Sequence, residues 1–211
     1  MIKRKENDLI RRSENLLKQL KKRRTVRFFS KKNIPHSVIE NCIAVAGTAP
    51  SGANMQPWTF VLVEDLKIKK EIRKKAEEVE KEFYSKRITK EWKEKLVPLN
   101  TAPKKEFLTQ APYLICIFIQ NYGIDNKGKK VKHYYSVESV GIATGILISA
   151  LHQLGISSVT YTPAPMTFLK ELLHRPPNEK PFMILAVGYP HPNYKPPVLK
   201  KKSLKEILVK I

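Results

Sequence analysis

The sequence predicts an α+β domain with helices packed on a sheet, and three observations carry that expectation. Four short apolar runs read as strands: WTFVLV (58–63), YLICIFI (113–119), ISSVTYTPAP (156–165, ending at a proline-rich turn) and FMILAVGY (182–189). β-Branched and aromatic residues at this density suit a pleated, half-buried surface. Segments of helical period separate the runs in no regular alternation, which points away from a repeated parallel βαβ unit. SVESVGIATGILISALHQLG (136–155) is apolar nearly all round, so its helix needs cover on several sides. A chain of 211 residues is long enough for one such domain with its own core.

Residues 1–22 form a basic amphipathic helix in which Leu9, Ile10, Leu16, Leu17 and Leu20 recur at helical spacing. Packing on its own domain or on a partner subunit suits it better than lying on a membrane surface. The main unit, 23–211, opens inside KKRRTVRFFS (21–30), where Arg23, Arg24 and Arg27 surround Thr25. Guanidinium groups grip phosphate bidentately and a threonine hydroxyl adds a neutral donor. Taken alone, such a segment is more often a basic surface patch. A helix over 35–45 follows, with Pro35 suited to its first turn and Ile39, Ile43 and Ala46 on its buried face.

AGTAPSGANMQPWTF (46–60) then turns through Gly47, Pro50 and Gly52 into the first strand. With only small side chains there, the amides of Ser51, Gly52 and Ala53 can point outward as donors. A ligand-free turn accounts for APSG equally well. Next comes a long charged helix or helix pair, 66–96, broken by Pro98 and Pro103. Glu80 and Tyr84 share one face of it, which from spacing alone is an ordinary exposed face. After the strand 113–119, NYGIDNKGKKVK (121–132) reads as a polar, mobile loop. In the helix 136–155, Gly141 and Gly145 allow close approach of another helix, in a subunit interface or a central core. Thr160, Tyr161 and Thr162 bring hydroxyls to the end of the third strand, and a proline-rich basic tail leads to a short helix from Ser203.

Composition narrows the function. Lys and Arg number 40 against 19 Asp and Glu, a formal net charge of +21, which favours anionic partners. Much of that charge is lysine in the runs 67–75, 86–95, 127–132 and 195–202, a pattern of solvated faces. No zinc finger, homeodomain-like or RNP motif accompanies it, so nucleic-acid binding is not expected as the main function. No apolar run reaches the ~18 residues of a membrane span, and the N-terminal segment lacks the apolar stretch of a secretory signal. Cys42 and Cys116 sit in apolar surroundings without C-x-x-C spacing, which reads as buried reduced thiols and a cytoplasmic protein. No metal-ligand spacing such as H-E-x-x-H occurs, and no metal is expected.

RRTVRFF followed by APSGANMQPW resembles the nitroreductase flavoprotein superfamily. The span from Arg23 to Leu204 is similar, almost without gaps, to the iodotyrosine deiodinase family through RRTVRF, AGTAPSGANMQPWTFV, KVKHYY, VTYTP, RPPNEK and VGYP. That resemblance implies a nitroreductase-like sheet flanked by helices, an intertwined homodimer, and FMN at the subunit interface. It implies that Arg23, Arg24, Thr25 and Arg27 hold the phosphate and pyrimidine end of FMN. Pro50 and Ser51 would line the flavin, and Thr160, Tyr161 and Thr162 would reach its ring, with the Thr162 hydroxyl near N5. Lys201 falls where the family carries an FMN-contacting arginine, a departure that exchanges a fork of donors for a point charge. Glu80, Tyr84 and Lys105 match the lid that receives the ammonium and carboxylate of a halogenated tyrosine, and Ala53 matches the position whose N–H meets the phenolate oxygen. The animal enzymes of that family carry an N-terminal membrane anchor, and none is expected here.

The resemblance thus implies FMN-dependent reductive dehalogenation of 3-halo-L-tyrosines, with Thr162 as the catalytic residue. The electron donor is not legible: NAD(P)H through a reductase, or a flavodoxin or ferredoxin, would each serve. Two other readings stay open, a general nitroreductase or flavin reductase using NAD(P)H and a basic nucleic-acid-binding module. The superfamily branch that cleaves flavin is disfavoured by the Glu/Tyr/Lys set.

Overall fold

In the computed structural model, which describes residues 2–99 and 101–211, six strands occur. They are β1 (Trp58–Val63), β2 (Tyr113–Gln120), β3 (Tyr122–Ile124), β4 (Lys130–Lys132), β5 (Ser157–Tyr161) and β6 (Glu179–Gly188). Four of them form an antiparallel sheet in the order β1-β2-β6-β5, and β3 pairs separately with β4. The central strand β2 is buried along its length except at Gln120. Its side chains alternate between two cores because successive residues of a strand point to opposite faces.

Leu114, Cys116 and Phe118 enter one core with Val159, Tyr161, Ile184 and Ala186. There they meet Ile72 and Ala76 of α3 (Leu66–Glu82), Phe107 and Leu108 of α5 (Phe107–Gln110), and Leu169 of α7 (Phe168–Leu172). Tyr113, Ile115, Ile117 and Ile119 enter the other core. They pack against Ile39, Cys42 and Ala46 of α2 (His36–Ala46) and against Val140, Leu147 and Leu151 of α6 (Ser136–Gln153). Cover on both faces explains why β2 is a continuous apolar run rather than an alternating one.

Between β2 and β6 the register slips at Ile117/Phe118, where Pro181 stands opposite Phe118. A bulge there absorbs the residue that has no N–H for the ladder. Strand β1 is one edge of the sheet, and only Val63 in it is buried. An edge strand lacks a neighbour on one side, which an apolar sequence does not reveal.

The charged stretch 66–96 resolves into a helix pair. Asp65 caps α3 by accepting from the Lys67 and Ile68 amides, a π-helical turn spans Phe83–Arg87, and Thr89 caps α4 (Lys90–Leu96) by accepting from the Trp92 amide. The stretch 121–132 is not an irregular loop but the β3–β4 hairpin. Asp125 Oδ1 accepts from the Lys127 and Lys129 amides at 2.9 and 2.8 Å, and Gly128 takes φ +75. Local turn chemistry of Asp and Gly holds it, with little apolar alternation to announce it.

Helix α1 (Ile2–Leu20) touches the rest of the chain near its end, where His152 Nε2 donates to the Gln19 carbonyl at 2.9 Å. Its stripe of Leu9, Ile10, Leu16, Leu17 and Leu20 is exposed, so the packing on its own domain offered above does not occur. The outer face of α6 carries Val137, Gly141, Ile142 and Gly145, all exposed, with open space beyond both glycines. Both cysteines are buried free thiols, and burial pushes the Cys116 thiol up to about 12. The short helix after Ser203 is a 3₁₀ turn, Leu204–Glu206, closed by a Ser203/Glu206 capping box.

Candidate active site

After α1 the chain runs beside β5. Thr25 bridges Ser158 in parallel fashion, and the Val26 amide donates to the Ser158 carbonyl at 3.2 Å. Val26 points into the core, so its neighbours Thr25 and Arg27 face outward. Arg23, Arg24, Thr25 and Arg27 line a cavity of about 240 Å³. The C-terminal segment closes its far side with Pro196, Pro197, Leu199 and Lys201. The Tyr194 hydroxyl donates to the Thr25 carbonyl at 3.1 Å and ties that segment down. Four cations and no carboxylate line this cavity, a donor set that suits a phosphate.

Arg27 also borders a second cavity of about 240 Å³, between the end of α3, the π turn and β5. Glu80 enters it from α3, Tyr84 from the π turn, and Lys105 from the loop before α5. Lys105 Nζ lies 3.1 Å from Glu80 Oε2 and donates to the Ala102 carbonyl at 2.7 Å. It sits 5.7 Å from the Tyr84 ring centroid and 5.5 Å from that of Tyr161. Tyr84 shares a 3.2 Å hydrogen bond with Thr101.

Glu77, one turn before, fixes the backbone of this loop by accepting from the Lys105 amide at 2.7 Å, and it pairs with Arg73 at the same distance. Burial alone would raise the Glu77 carboxyl. The Lys105 amide and Arg73 outweigh it and hold the group below its ordinary value. Arg87 donates to the Ala164 carbonyl at 2.8 Å and so ties the π turn to the loop after β5. Interruptions of this kind in a helix often occur where side chains must be re-aimed into a site.

Thr160 and Thr162 are exposed along the cavity, while Tyr161 between them is buried. The Tyr161 ring therefore points into the core layer beneath Glu80 and Lys105, while the two threonines point outward. Its hydroxyl is buried without a hydrogen-bond partner among the described residues.

The expected residues thus gather in two adjoining cavities that share Arg27: Arg23, Arg24, Thr25 and Lys201 in one, Glu80, Tyr84, Lys105, Thr160, Tyr161 and Thr162 in the other. Pro50, Ser51 and Ala53 line neither. Their loop is held against α6, where Ser139 Oγ accepts from the Gly52 amide at 3.3 Å, and Ala53 is left-handed at φ 48. Sequence reasoning missed Trp92, Thr101 and Phe107, which also line the second cavity. A lone tryptophan in the charged KEWKEKL was the one available signal; Thr101 and Phe107 had none.

Residues 20–189 match the nitroreductase family, and the chain belongs to that family. Within it, the sequence is similar to the iodotyrosine deiodinase of Haliscomenobacter hydrossis, 46% identical over 96% of this chain and 91% of that one. It is equally similar to iodotyrosine deiodinase 1 of Homo sapiens, 46% identical over 98% of this chain and 72% of that one. A crystal structure of oxidised iodotyrosine deiodinase bound to FMN and 3-iodo-L-tyrosine superposes with a TM-score of 0.80 at 36% identity, covering 92% of this chain and 97% of that one. A BluB-like flavoprotein from Clostridium difficile shares the fold at 22% identity and a TM-score of 0.71, covering 93% of this chain and 98% of that one. The nitroreductase-like α+β fold and the resemblance to iodotyrosine deiodinases are thereby borne out. Among the described residues no helix is long and apolar enough to cross a membrane, and no cluster of metal-ligating side chains occurs.

Proposed function

We propose that this chain is an FMN-dependent reductive dehalogenase of 3-halo-L-tyrosines that works as a homodimer. The observation that carries the reading is the buried Glu80–Lys105 pair beside Tyr84, in a cavity edged by Thr160 and Thr162. A free amino acid carries one ammonium and one carboxylate. Glu80 turns to the first and Lys105 to the second, exchanging one buried ion pair for two without a change in net buried charge. Tyr84 adds a neutral hydrogen bond to the same group.

The cationic cavity of Arg23, Arg24, Thr25, Arg27 and Lys201 fits the FMN phosphate, and Thr162 offers its hydroxyl beside the flavin ring. Replacing halogen by hydrogen takes two electrons and a proton and releases halide; FMN, when bound, supplies the electron chemistry. The chain's own residues select, orient and dry the substrate. Ala53 presents its amide to the phenolate oxygen, and Pro50 and Ser51 line the flavin. In one chain their loop lines neither cavity, so a second copy supplies it. The uncovered outer face of α6 and the apolar stripe of α1 supply surfaces for that copy. Electrons come from a separate donor, a nicotinamide-fed reductase or a flavodoxin or ferredoxin.

The test is iodide release. FMN-loaded protein reduced with dithionite and given 3-iodo-L-tyrosine should yield iodide and tyrosine in equal amounts. Rapid nitroaromatic reduction without iodide would assign the chain to general nitroreductases instead.

A further inference from the structure

Tyr161 brings to the cavity wall a polar atom beside Glu80 that completes no hydrogen bond among the described residues. Its ring, 8% exposed, stands edge-on to Phe107 with centroids 5.5 Å apart, and Lys105 Nζ sits 5.5 Å from its own centroid. Strand register and core packing here need only the ring, which phenylalanine would provide. The hydroxyl is buried and unpartnered among the described residues. A buried hydroxyl left unpaired lowers the stability of the state that leaves it so, and it calls for a state in which it is paired.

Burial, and then the charge of Glu80 and the approach of its carboxylate to the hydroxyl, raise the Tyr161 phenol far above its ordinary value, although the two do not reach full hydrogen-bond geometry. It therefore keeps its proton and can only serve an anion as a donor. In the ligand-free protein Glu80 Oε2 has Lys105 Nζ at 3.1 Å. When Lys105 turns to a substrate carboxylate, Glu80 loses that donor and gains the substrate ammonium.

We propose that Tyr161 is a positioning residue for substrate selection: in the substrate-bound state its hydroxyl donates to the Glu80 carboxylate and holds it on the substrate ammonium. This rests on the zwitterion reading of the cavity given above. The hydroxyl then adds to affinity for amino-acid substrates and nothing to the stability of the ligand-free protein. A halophenol without the amino-acid group leaves the Glu80–Lys105 pair closed and gains nothing from Tyr161.

The experiment compares FMN-loaded wild type with Tyr161→Phe, measuring Kd for 3-iodo-L-tyrosine and for 2-iodophenol, melting temperature with and without each, and kcat and KM for iodide release. The variant should bind iodotyrosine about ten-fold or more weakly, the size of one hydrogen bond to a charged group. Its KM should rise in step while kcat stays within about two-fold, the signature of binding lost equally from ground and transition states. Iodophenol affinity should not change, and the ligand-free melting temperature should stay level or rise. A purely structural tyrosine would instead lower that melting temperature and weaken both ligands together, which overturns the proposal. Equal iodotyrosine affinity in the two proteins overturns it alone, whereas a wild type indifferent to iodotyrosine overturns the zwitterion reading with it.

Discussion

Lys105 Nζ and Glu80 Oε2 lie 3.1 Å apart with side chains only 8% and 13% exposed, the most buried ion pair bordering the second cavity. Two charges this far from water hold each other, and a ligand that carries both signs can replace both contacts without leaving a buried charge unpaired. Lys105→Ala removes one side of that exchange. The apparent KM for iodotyrosine should rise by the worth of one charge-assisted contact, about 1.5–3 kcal/mol. FMN affinity should hold, because Lys105 does not line the arginine cavity. Iodide-release kinetics beside an FMN titration check this; turnover equal to wild type would remove Lys105 from substrate binding.

Glu179 should contribute to acid stability. It is 4% exposed and accepts Arg175 Nε at 2.6 Å and the Thr59 hydroxyl at 2.6 Å, joining Arg175 and the start of β6 to β1. Burial alone would raise its carboxyl, but Arg175 and Thr59 outweigh burial and hold it below the ordinary value. A depressed folded-state value means the stabilisation is fully present above the unfolded value of roughly 4.3 and is lost as pH falls through the folded one. Glu77 acts with the same sign. Glu179→Gln should therefore cost on the order of 2–4 kcal/mol near neutrality and flatten the fall in melting temperature below pH 5. An unchanged acid limb in the variant would show that other carboxylates set it.

Much of this fold could be read from local pattern, and less of its site. The unbroken apolar run of β2 announced cover on both faces, and the small residues between Ala46 and Trp58 announced a turn. Lys105 had no local signal at all: its partner stands 25 positions earlier on another element, and only resemblance to a family joined them. The spacing of Glu80 and Tyr84 is that of any helix face, so burial, which spacing does not encode, made the difference. Tyr161 was legible as a cavity residue, but its orientation was not. Strand alternation puts it with Val159 on the core side, opposite Thr160 and Thr162.

Gly52 is a glycine for want of space. A Cβ there would lie 2.7 Å from the Tyr134 carbonyl oxygen and 3.0 Å from the Tyr135 ring. The backbone oxygen cannot swing aside as a side-chain end would. Gly52→Ala should cost about 1–3 kcal/mol through overpacking and shift the Ala53 amide with its loop. Melting temperature should fall, and iodotyrosine affinity should fall with it. If affinity survives a measurable loss of stability, the Ala53 amide is not a substrate contact.

Gly145 separates a solvated helix face from a subunit interface. Nothing lies within 4 Å of a Cβ built at Gly145 or Gly141 in the single chain. On a solvated face, Gly145→Leu would therefore stabilise α6 by about 0.5–1 kcal/mol, since leucine favours helix far more than glycine does. In an interface the same side chain must displace a neighbouring helix that approaches closely. The α6 outer face is apolar around the glycines, with Val137 and Ile142 exposed, which suits it to the interface of the proposed homodimer. Gly145→Leu should accordingly yield monomer in sedimentation velocity and lose FMN together with iodide release. A variant that stays dimeric, yellow and more stable than wild type would move the interface to another face.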